Sequence, residues 1–302
     1  MQAKIPFSKQ FTPADKLVKL LQTRGLIIND SVNAERYIRN IGYYRLSAYM
    51  HPLLSFPKEK HCFKANTNFK QILSLYRFDK KLRLLIFNEI EKIEIAIRSH
   101  IINTTSDKLN DSFWITNNLH FINQQKYNKT IQLINNELDH SREDFIIHFK
   151  QKYTDTYPPA WILSEILPFG VLTNIFSNLK NKGIKKQIAL QFGLQLKPFE
   201  SWLTIITLTR NACCHHTRVW NKQNSIIPME PKVISKSWIK TPVSKLRIYY
   251  DLCIIKWFLN CISPNNDLTN KIIDLLNKFP NMDIKAMGFP TNWLEEELWQ
   301  IK

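Results

Sequence analysis

Glycine is scarce in this sequence, with 6 Gly among 302 residues. Tight turns between β-strands commonly use glycine, and segments that alternate Val or Thr with polar residues are few, so the sequence disfavours a β-sheet protein. The sequence also has no Gly-rich phosphate-binding loop, which argues against P-loop NTPases and Rossmann dinucleotide-binding domains. We therefore expect an all-α fold.

Cysteine and long apolar runs are scarce as well. The 5 Cys form an odd number without regular spacing, so they do not indicate a disulfide framework. The first residues do not resemble a signal peptide, and Asp251 and Lys256 interrupt the apolar run at residues 246–262. We expect a cytoplasmic protein that does not bind a membrane.

Acidic residues are too few to balance the basic ones: 25 Asp and Glu stand against 42 Lys and Arg, which gives a formal net charge of +17. Such a surface attracts phosphate backbones and gains binding free energy when counterions are released. A hydrophobic content of 44% also excludes general disorder. The composition therefore indicates a globular protein with a polyanionic partner such as RNA, without locating the site.

Neither Gly nor Pro interrupts residues 202–222, where apolar residues recur at steps of three and four. This spacing predicts one helix whose buried face includes Trp202, Cys213 and His216. The opposite stripe of the same helical wheel carries four polar residues: Asn211, His215, Arg218 and Lys222. We therefore expect His215 to point away from the core and His216 to point into it.

An arginine, an asparagine and a histidine on one surface suit a phosphodiester substrate. Arg210 flanks the polar stripe with a side chain long enough to reach it, and arginine binds phosphate oxygens in a fork. His215 can carry a proton near neutral pH, and Asn211 can orient either partner without adding charge. These three are the candidate catalytic residues, and Arg218 and Lys222 are candidate RNA contacts.

Four residues of metal-binding types stand side by side: Cys213, Cys214, His215 and His216. Adjacent residues of a helix diverge by about 100°, so these four side chains cannot form a tetrahedral shell. We expect neither a metal nor another cofactor.

A long helix is predicted from residue 68 to about residue 104, with an apolar stripe that faces the core. Within it, Glu94 and Arg98 form an i,i+4 pair in the favourable acid-first order. The simplest role of this pair is to stabilise its own helix. The alternative is that it orients Arg210 and His215 from a neighbouring helix.

Two further segments combine features of RNA-binding surfaces. Arg39, Tyr43 and Arg45 interleave cations with an aromatic ring, which suits contacts to phosphates and stacking on unpaired bases. Four neighbours keep helical spacing and are expected in the core: Tyr37, Ile41, Tyr44 and Ala48. A predicted loop around Gly183 adds three lysines as candidates for RNA contact: Lys182, Lys185 and Lys186.

The most specific motif is the string Arg210-Asn211-x-x-x-His215-His216-x-Arg218-x-Trp220-Asn221. Its first part fits the R-N-x-x-x-H form of the HEPN ribonuclease motif, and the whole string resembles the signature of the Abi family of bacterial abortive-infection proteins, the AbiD and AbiF group. Similar blocks lie across nearly the whole chain: Arg24-Gly25-Leu26, residues 37–46, Tyr76-Arg77-Phe78-Asp79, Pro159-x-Trp161 and Met287-Gly288-Phe289-Pro290. One departure is Cys214, where a small residue usually precedes the histidine.

The resemblance implies an HEPN-like helical core at residues 66–222, with helical extensions at residues 1–65 and 223–302. It also implies a toxin-like ribonuclease in phage defence, which cuts RNA without metal by attack of the 2′-hydroxyl and leaves a cyclic phosphate. In that scheme His215 handles the proton, Arg210 stabilises charge on the phosphorus centre, and Asn211 orients one of them. Such sites commonly form between two copies, so a homodimer is expected, and a bound small non-coding RNA fits the same family.

Two alternatives from other functional classes stay open. The same basic helix could bind RNA without cutting it, in which case His215→Ala would leave the affinity for RNA unchanged. The chain could instead be a protein-binding factor that senses a phage component. Catalysis itself separates the ribonuclease from the RNA-binding module.

Overall fold

The computed structural model describes residue 6, residues 10–234 and residues 237–300. The regular elements in these ranges are α-helices and short 3-10 helices, together with three isolated β-bridges and no strand. The expected all-α fold is thereby confirmed. Within the same ranges, no helix combines the length and the apolar character needed to cross a bilayer.

The described residues form twelve α-helices: α1 (Ala14–Thr23), α2 (Ser31–Ile41), α3 (Tyr43–Met50), α4 (Phe69–Leu109), α5 (Gln124–His140), α6 (Asp144–Lys152), α7 (Ala160–Leu163), α8 (Phe169–Asn178), α9 (Lys182–Gln191), α10 (Leu196–Cys214), α11 (Ile248–Ile262) and α12 (Leu268–Lys278). The chain divides into two compact units, Met1–Lys81 with Asn277–Met282 and Leu82–Leu276 with Asp283–Lys302. The segment limits suggested by the family resemblance, at residues 65/66 and 222/223, stay predictions.

In the first unit, Gly42 separates α2 from α3. Its φ of 90° lies in the left-handed region that favours glycine, and it ends α2 at Ile41. The helical register restarts after this break, so the residues beyond it do not continue the buried stripe of α2. Ile38 is buried before the break, whereas Tyr44 is 91% exposed after it. The expectation that Tyr44 lies in the core is therefore wrong.

In the second unit, α4 presents a continuous apolar stripe to the core. Five isoleucines at steps of three and four residues are fully buried: Ile86, Ile90, Ile93, Ile97 and Ile101. The predicted stripe is confirmed, and the helix continues to Leu109, past the predicted end near residue 104. The half-buried flank of this helix carries Glu94 and Arg98.

Helix α11 is the most deeply buried element of the second unit. Every residue from Ile248 to Leu259 is buried, including Asp251 and Lys256. A helix that is enclosed on all sides belongs to the centre of a domain. The two ionisable residues that interrupt the apolar run at residues 246–262 therefore lie inside the protein and not on a solvated face.

An aromatic cluster fixes α10 against α11. Trp202 of α10 packs edge-on against Trp257 of α11, with ring centroids 5.9 Å apart, and Phe199 lies 6.1 Å from Phe258. Trp257 also donates a hydrogen bond from Nε1 to the carbonyl oxygen of Phe192 at 2.9 Å. Because these rings are fully or almost fully buried, they hold the first half of α10 against α11.

Candidate functional site

Helix α10 ends at Cys214 instead of continuing as predicted. The N–H of His216 donates to the carbonyl oxygen of Cys213 at 3.1 Å, and the N–H of Thr217 donates to that of Ala212 at 2.8 Å. This pair of bonds defines a Schellman cap, and His216 occupies its left-handed position with a φ of 55°. The prediction of one helix over residues 202–222 is wrong, because the chain turns here without the glycine that usually marks such a cap.

The turn puts two neighbouring histidines on the surface. His215, His216 and Thr217 are all exposed, while Trp220 beyond them is buried. The expected exposure of His215 is confirmed. The expected burial of His216 is wrong, because the angles of a helical wheel hold only while the helix continues.

Arg210 lies in the last turns of α10 with a side chain that is 31% exposed. Its Nε is 3.5 Å from Oε2 of Glu94 in α4, an ion-pair distance that lacks the geometry of a hydrogen bond. Its Nη1 donates to Oδ1 of Asn211 at 3.4 Å. Its Nη2 makes no hydrogen bond to the described part of the chain, so one edge of the guanidinium is available to an anion.

Glu94 is shared between two arginines. Its Oε1 lies 3.3 Å from Nη2 of Arg98, while its Oε2 faces Arg210. Nη1 of Arg98 in turn donates to the carbonyl oxygen of Leu167 at 3.0 Å and also to that of Ser164. The structure therefore shows both alternatives for this pair at once, an intrahelical ion pair and a contact with Arg210. Among the described residues it shows no contact between the pair and His215.

Asn211 and His215 are joined through the backbone at the helix end. Asn211 is half-buried, and its carbonyl oxygen accepts a hydrogen bond from the N–H of His215 at 2.9 Å. Arg218 is half-buried and Lys222 is exposed, and both follow the turn. These four residues therefore do not form the single helical stripe that was predicted, because the helix has already ended before His215.

A buried carboxylate fixes the segment that follows the turn. Asp251 of α11, which is 1% exposed, accepts hydrogen bonds from Nδ2 of Asn224 at 2.8 and 2.9 Å and from Oγ1 of Thr209 at 3.1 Å. Burial raises the pKa of Asp251 to about 7, although the hydrogen bonds from Asn224 and Thr209 and the charge of Lys222 act to lower it. Thr209 directly precedes Arg210, so Asp251 ties the end of α10 to residue 224. The sequence offered one signal for this role, an acidic residue inside an apolar run.

The three candidate lysines of residues 182–186 lie on α9 rather than in a loop. Lys182 and Lys186 are exposed. Lys185 is 6% exposed, with Nζ 2.6 Å from Oε1 of Glu200 and 2.7 Å from the carbonyl oxygen of Ser177. The expectation that Lys185 contacts RNA is wrong, because its ammonium is held inside the protein by these two partners.

The other candidate RNA contacts belong to the first unit. The side chain of Arg39 is 67% exposed and pairs with Glu35, Arg45 is exposed, and Tyr43 is half-buried. Tyr44 has a far more accessible ring than Tyr43, at 91% exposure. Sequence reasoning missed Tyr44 as a stacking surface because it carried the helical register through the break before α3.

The second unit thus carries an accessible guanidinium edge at Arg210 in the last turns of α10 and an exposed imidazole at His215 on the turn that ends the same helix. Arginine stabilises charge on phosphate oxygens, and imidazole takes or gives a proton near neutral pH. Among the described residues, no group of three or more His, Cys, Asp or Glu side chains is arranged to hold a metal ion. The side chains present supply acid–base and charge-stabilising chemistry suited to a phosphodiester.

Comparison with protein-family models gives one finding for this chain. The model described as Abi-like protein matches residues 36–221, which is more than half of the chain. The matched range includes Glu94, Arg98, Arg210, Asn211 and His215. Neither the curated proteins nor the solved structures gave a match.

Proposed function

This chain belongs to the Abi-like protein family, which indicates a part in abortive infection, a form of phage defence, and on that premise we propose that it is an HEPN-type, metal-independent ribonuclease. The observation that carries the proposal is the presence of a guanidinium group and an imidazole group at the same end of α10. Arg210 is oriented by Glu94 with one edge open, and His215 is exposed on the turn that follows. RNA transesterification requires a positioned cation and an accessible proton carrier.

In the proposed reaction, His215 takes the proton from a ribose 2′-hydroxyl. The 2′-oxygen forms a bond to the adjacent phosphorus while the bond from phosphorus to the 5′-oxygen breaks and that oxygen receives a proton. The products are a 2′,3′-cyclic phosphate and a 5′-hydroxyl. Arg210 stabilises the added negative charge on the phosphate oxygens, and Asn211 keeps the guanidinium in place through its side-chain oxygen.

The R-N-x-x-x-H motif supplies one histidine per chain, His215, whereas the reaction needs one group to take a proton and another to give one. A second copy of the chain would supply the second imidazole, so the proposal includes a homodimer in which two such helix ends face each other. The exposed cations Arg39, Arg45, Lys182, Lys186 and Lys222, with the half-buried Arg218 and Tyr43, are the proposed RNA contacts. The net charge of +17 supports RNA as the partner, including a structured small RNA that controls activity.

The test is cleavage of end-labelled RNA by the purified protein in excess chelator. We expect fragments that end in a 2′,3′-cyclic phosphate. Arg210→Lys keeps the charge but loses the two parallel hydrogen bonds that a guanidinium can donate to a phosphate. We expect this variant to cut RNA about 10²–10³-fold more slowly. The matched control is Arg142→Lys, which alters an exposed arginine outside the site and should cut at the normal rate.

Two outcomes would overturn the proposal. If the protein binds RNA tightly but leaves it intact in every condition, the chain is an RNA-binding module that uses the same cations. If cleavage occurs while the protein has a strictly monomeric mass across the micromolar range, the dimeric part of the proposal is wrong.

A further inference from the structure

A cleft lies in the second unit, and none of the motif residues lines it. It has a volume of about 920 Å³, in the size range of small-molecule sites, and is bounded by α11, the segment 264–270 and residues 237–240. Its lining includes Trp238, Lys256, Asn260, Asn266 and Asn270, together with the ionisable residues Lys240, Asp267 and Glu297. Both carboxylates have a cationic partner, Lys240 for Glu297 and Lys271 for Asp267. The cleft therefore combines an aromatic wall, several amides and two paired carboxylates with Lys256.

Lys256 is the unusual member of this lining. It is only 4% exposed, and its Nζ donates to Oδ1 of Asn266 at 2.9 Å. Within the described part of the chain it makes no ion pair. The two carboxylates whose charges act on it, Asp267 and Glu89, are each paired with Lys271 at 2.8 Å. Burial lowers the pKa of Lys256. An ammonium that is buried with only a neutral partner is costly, so an anion that entered the cleft would be bound favourably.

The aromatic wall is packed against other aromatic rings. Trp238 stacks on Trp202 with ring centroids 5.0 Å apart and an interplanar angle of 27°, and it meets Trp257 edge-on at 5.9 Å. Trp257 is anchored by its hydrogen bond to Phe192. Trp238 is half-buried, so part of its indole faces the cleft. A fixed aromatic surface of this kind favours contact with a flat heteroaromatic ring.

The amides give this wall a polar edge. Nδ2 of Asn266 donates to Oδ1 of Asn260 at 2.8 Å and to the carbonyl oxygen of Ser263 at 2.9 Å, which holds Asn266 toward Lys256. Asn270 is exposed at the cleft. The amide of an exposed asparagine such as Asn270 offers both donors and an acceptor, as the edge of a nucleobase requires.

We propose that this cleft binds a nucleotide, with the phosphate at Lys256 and the base between Trp238 and the amide of Asn270. The site is separate from the proposed ribonuclease residues and does not depend on them. Two sources offer the same chemistry, a free mononucleotide and the phosphorylated end of an RNA chain. Both carry a planar base and an anion.

The experiment is titration of the full-length protein with AMP, GMP, CMP and UMP in turn and with inorganic phosphate, followed by tryptophan fluorescence and by calorimetry. We expect saturable binding of at least one nucleotide, with much weaker binding of phosphate alone. Lys256→Met keeps an unbranched apolar side chain of similar length and removes the charge, so the Kd of the nucleotide should rise about tenfold or more. Lys129→Met removes the same charge from an exposed site on α5 and should bind normally.

A second variant covers the case in which Lys256→Met fails to fold. Asn270→Ala changes an exposed side chain, should fold normally, and should raise the Kd severalfold. A 5′-phosphorylated RNA and its unphosphorylated form, tested in the Arg210→Lys background, separate the two sources. Preference for the phosphorylated RNA supports an RNA end, and binding of mononucleotides alone supports a free ligand.

Three results would overturn the proposal: no binding of any nucleotide at millimolar concentration, equal affinity for phosphate and for nucleotides, or unchanged affinity in both Lys256→Met and Asn270→Ala. None of these results bears on cleavage of RNA. The nucleotide site and the ribonuclease proposal can therefore fail independently.

Discussion

Arg210 and His215 are five residues apart in the sequence, yet the protein holds them in different ways. Arg210 lies inside α10, is half-buried, and is oriented by an acid on another helix. His215 lies at the helix end on an exposed turn, and its neighbour His216 takes the left-handed position. The difference suits the proposed roles, because charge stabilisation needs a fixed group and proton transfer needs an accessible one.

The largest effect on stability is expected from the buried carboxyl group of Asp251. Its contribution to the free energy of unfolding should depend on pH. The pKa of Asp251 is raised from 3.8 to about 7 in the folded protein. A raised pKa means that the folded state binds a proton more tightly than the unfolded state, so this contribution to stability is complete below pH 4 and is lost as the pH rises through 7. The free energy of unfolding should fall by about 1 kcal/mol per pH unit in that window.

The measurement is chemical denaturation of the wild type and of Asp251→Asn at several values between pH 4 and pH 8. The difference between the two proteins isolates this carboxyl group from the other titrating residues. Asp251→Asn is uncharged at every pH, so it should gain stability relative to the wild type as the pH rises. Parallel curves for the two proteins would show that Asp251 does not titrate in this window.

The orientation of Arg210 by Glu94 can be removed without changing size. Glu94→Gln leaves Arg210 and Arg98 without their shared counter-charge, and the guanidinium is then free to move. We expect RNA cleavage to slow about a hundredfold, and the free energy of unfolding to fall by about 1–3 kcal/mol. The assays are single-turnover cleavage and denaturation.

A matched control for this variant is Glu91→Gln, which lies on the same helix and is exposed. It should leave both cleavage and stability unchanged. If Glu91→Gln and Glu94→Gln slow cleavage equally, the effect comes from net charge and not from the position of Arg210.

The smallest effect concerns the turn itself. His216 has a φ of 55°, a conformation that glycine adopts without steric cost. His216→Gly should therefore raise the free energy of unfolding by about 0.5–1 kcal/mol, seen as a small rise in Tm. His215→Gly is the control, since the φ of His215 is −81° and glycine there should give a loss. A loss in both variants would mean that the side chain of His216 contributes more than its strain costs.

The helical parts of this molecule were predictable from local pattern. The apolar stripe of α4 and the buried positions of α10 up to Cys213 follow from spacing alone, because helical geometry fixes which residues share a face. The pairing of Glu94 with Arg98 was visible for the same reason. The contact between Glu94 and Arg210 stood only as one of two alternatives, since it joins different helices.

The parts that were not predictable depend on breaks and on long-range partners. The end of α10 was missed because a histidine, and not a glycine, takes the left-handed position of the cap. The exposure of Tyr44 was missed because Gly42 resets the register. The burial of Lys185 depends on Glu200 on the next helix, and that of Asp251 depends on Asn224 and Thr209. Periodicity within one helix carries no information about such partners.

The most direct test of the central claim compares His215→Ala with His216→Ala in the cleavage assay. Both side chains are exposed, so both variants should fold and should keep their affinity for RNA. We predict that His215→Ala cuts about 10²–10⁴-fold more slowly than the wild type, while His216→Ala cuts at nearly the normal rate. Cleavage that survives in His215→Ala but is lost in His216→Ala would contradict the assignment of the site.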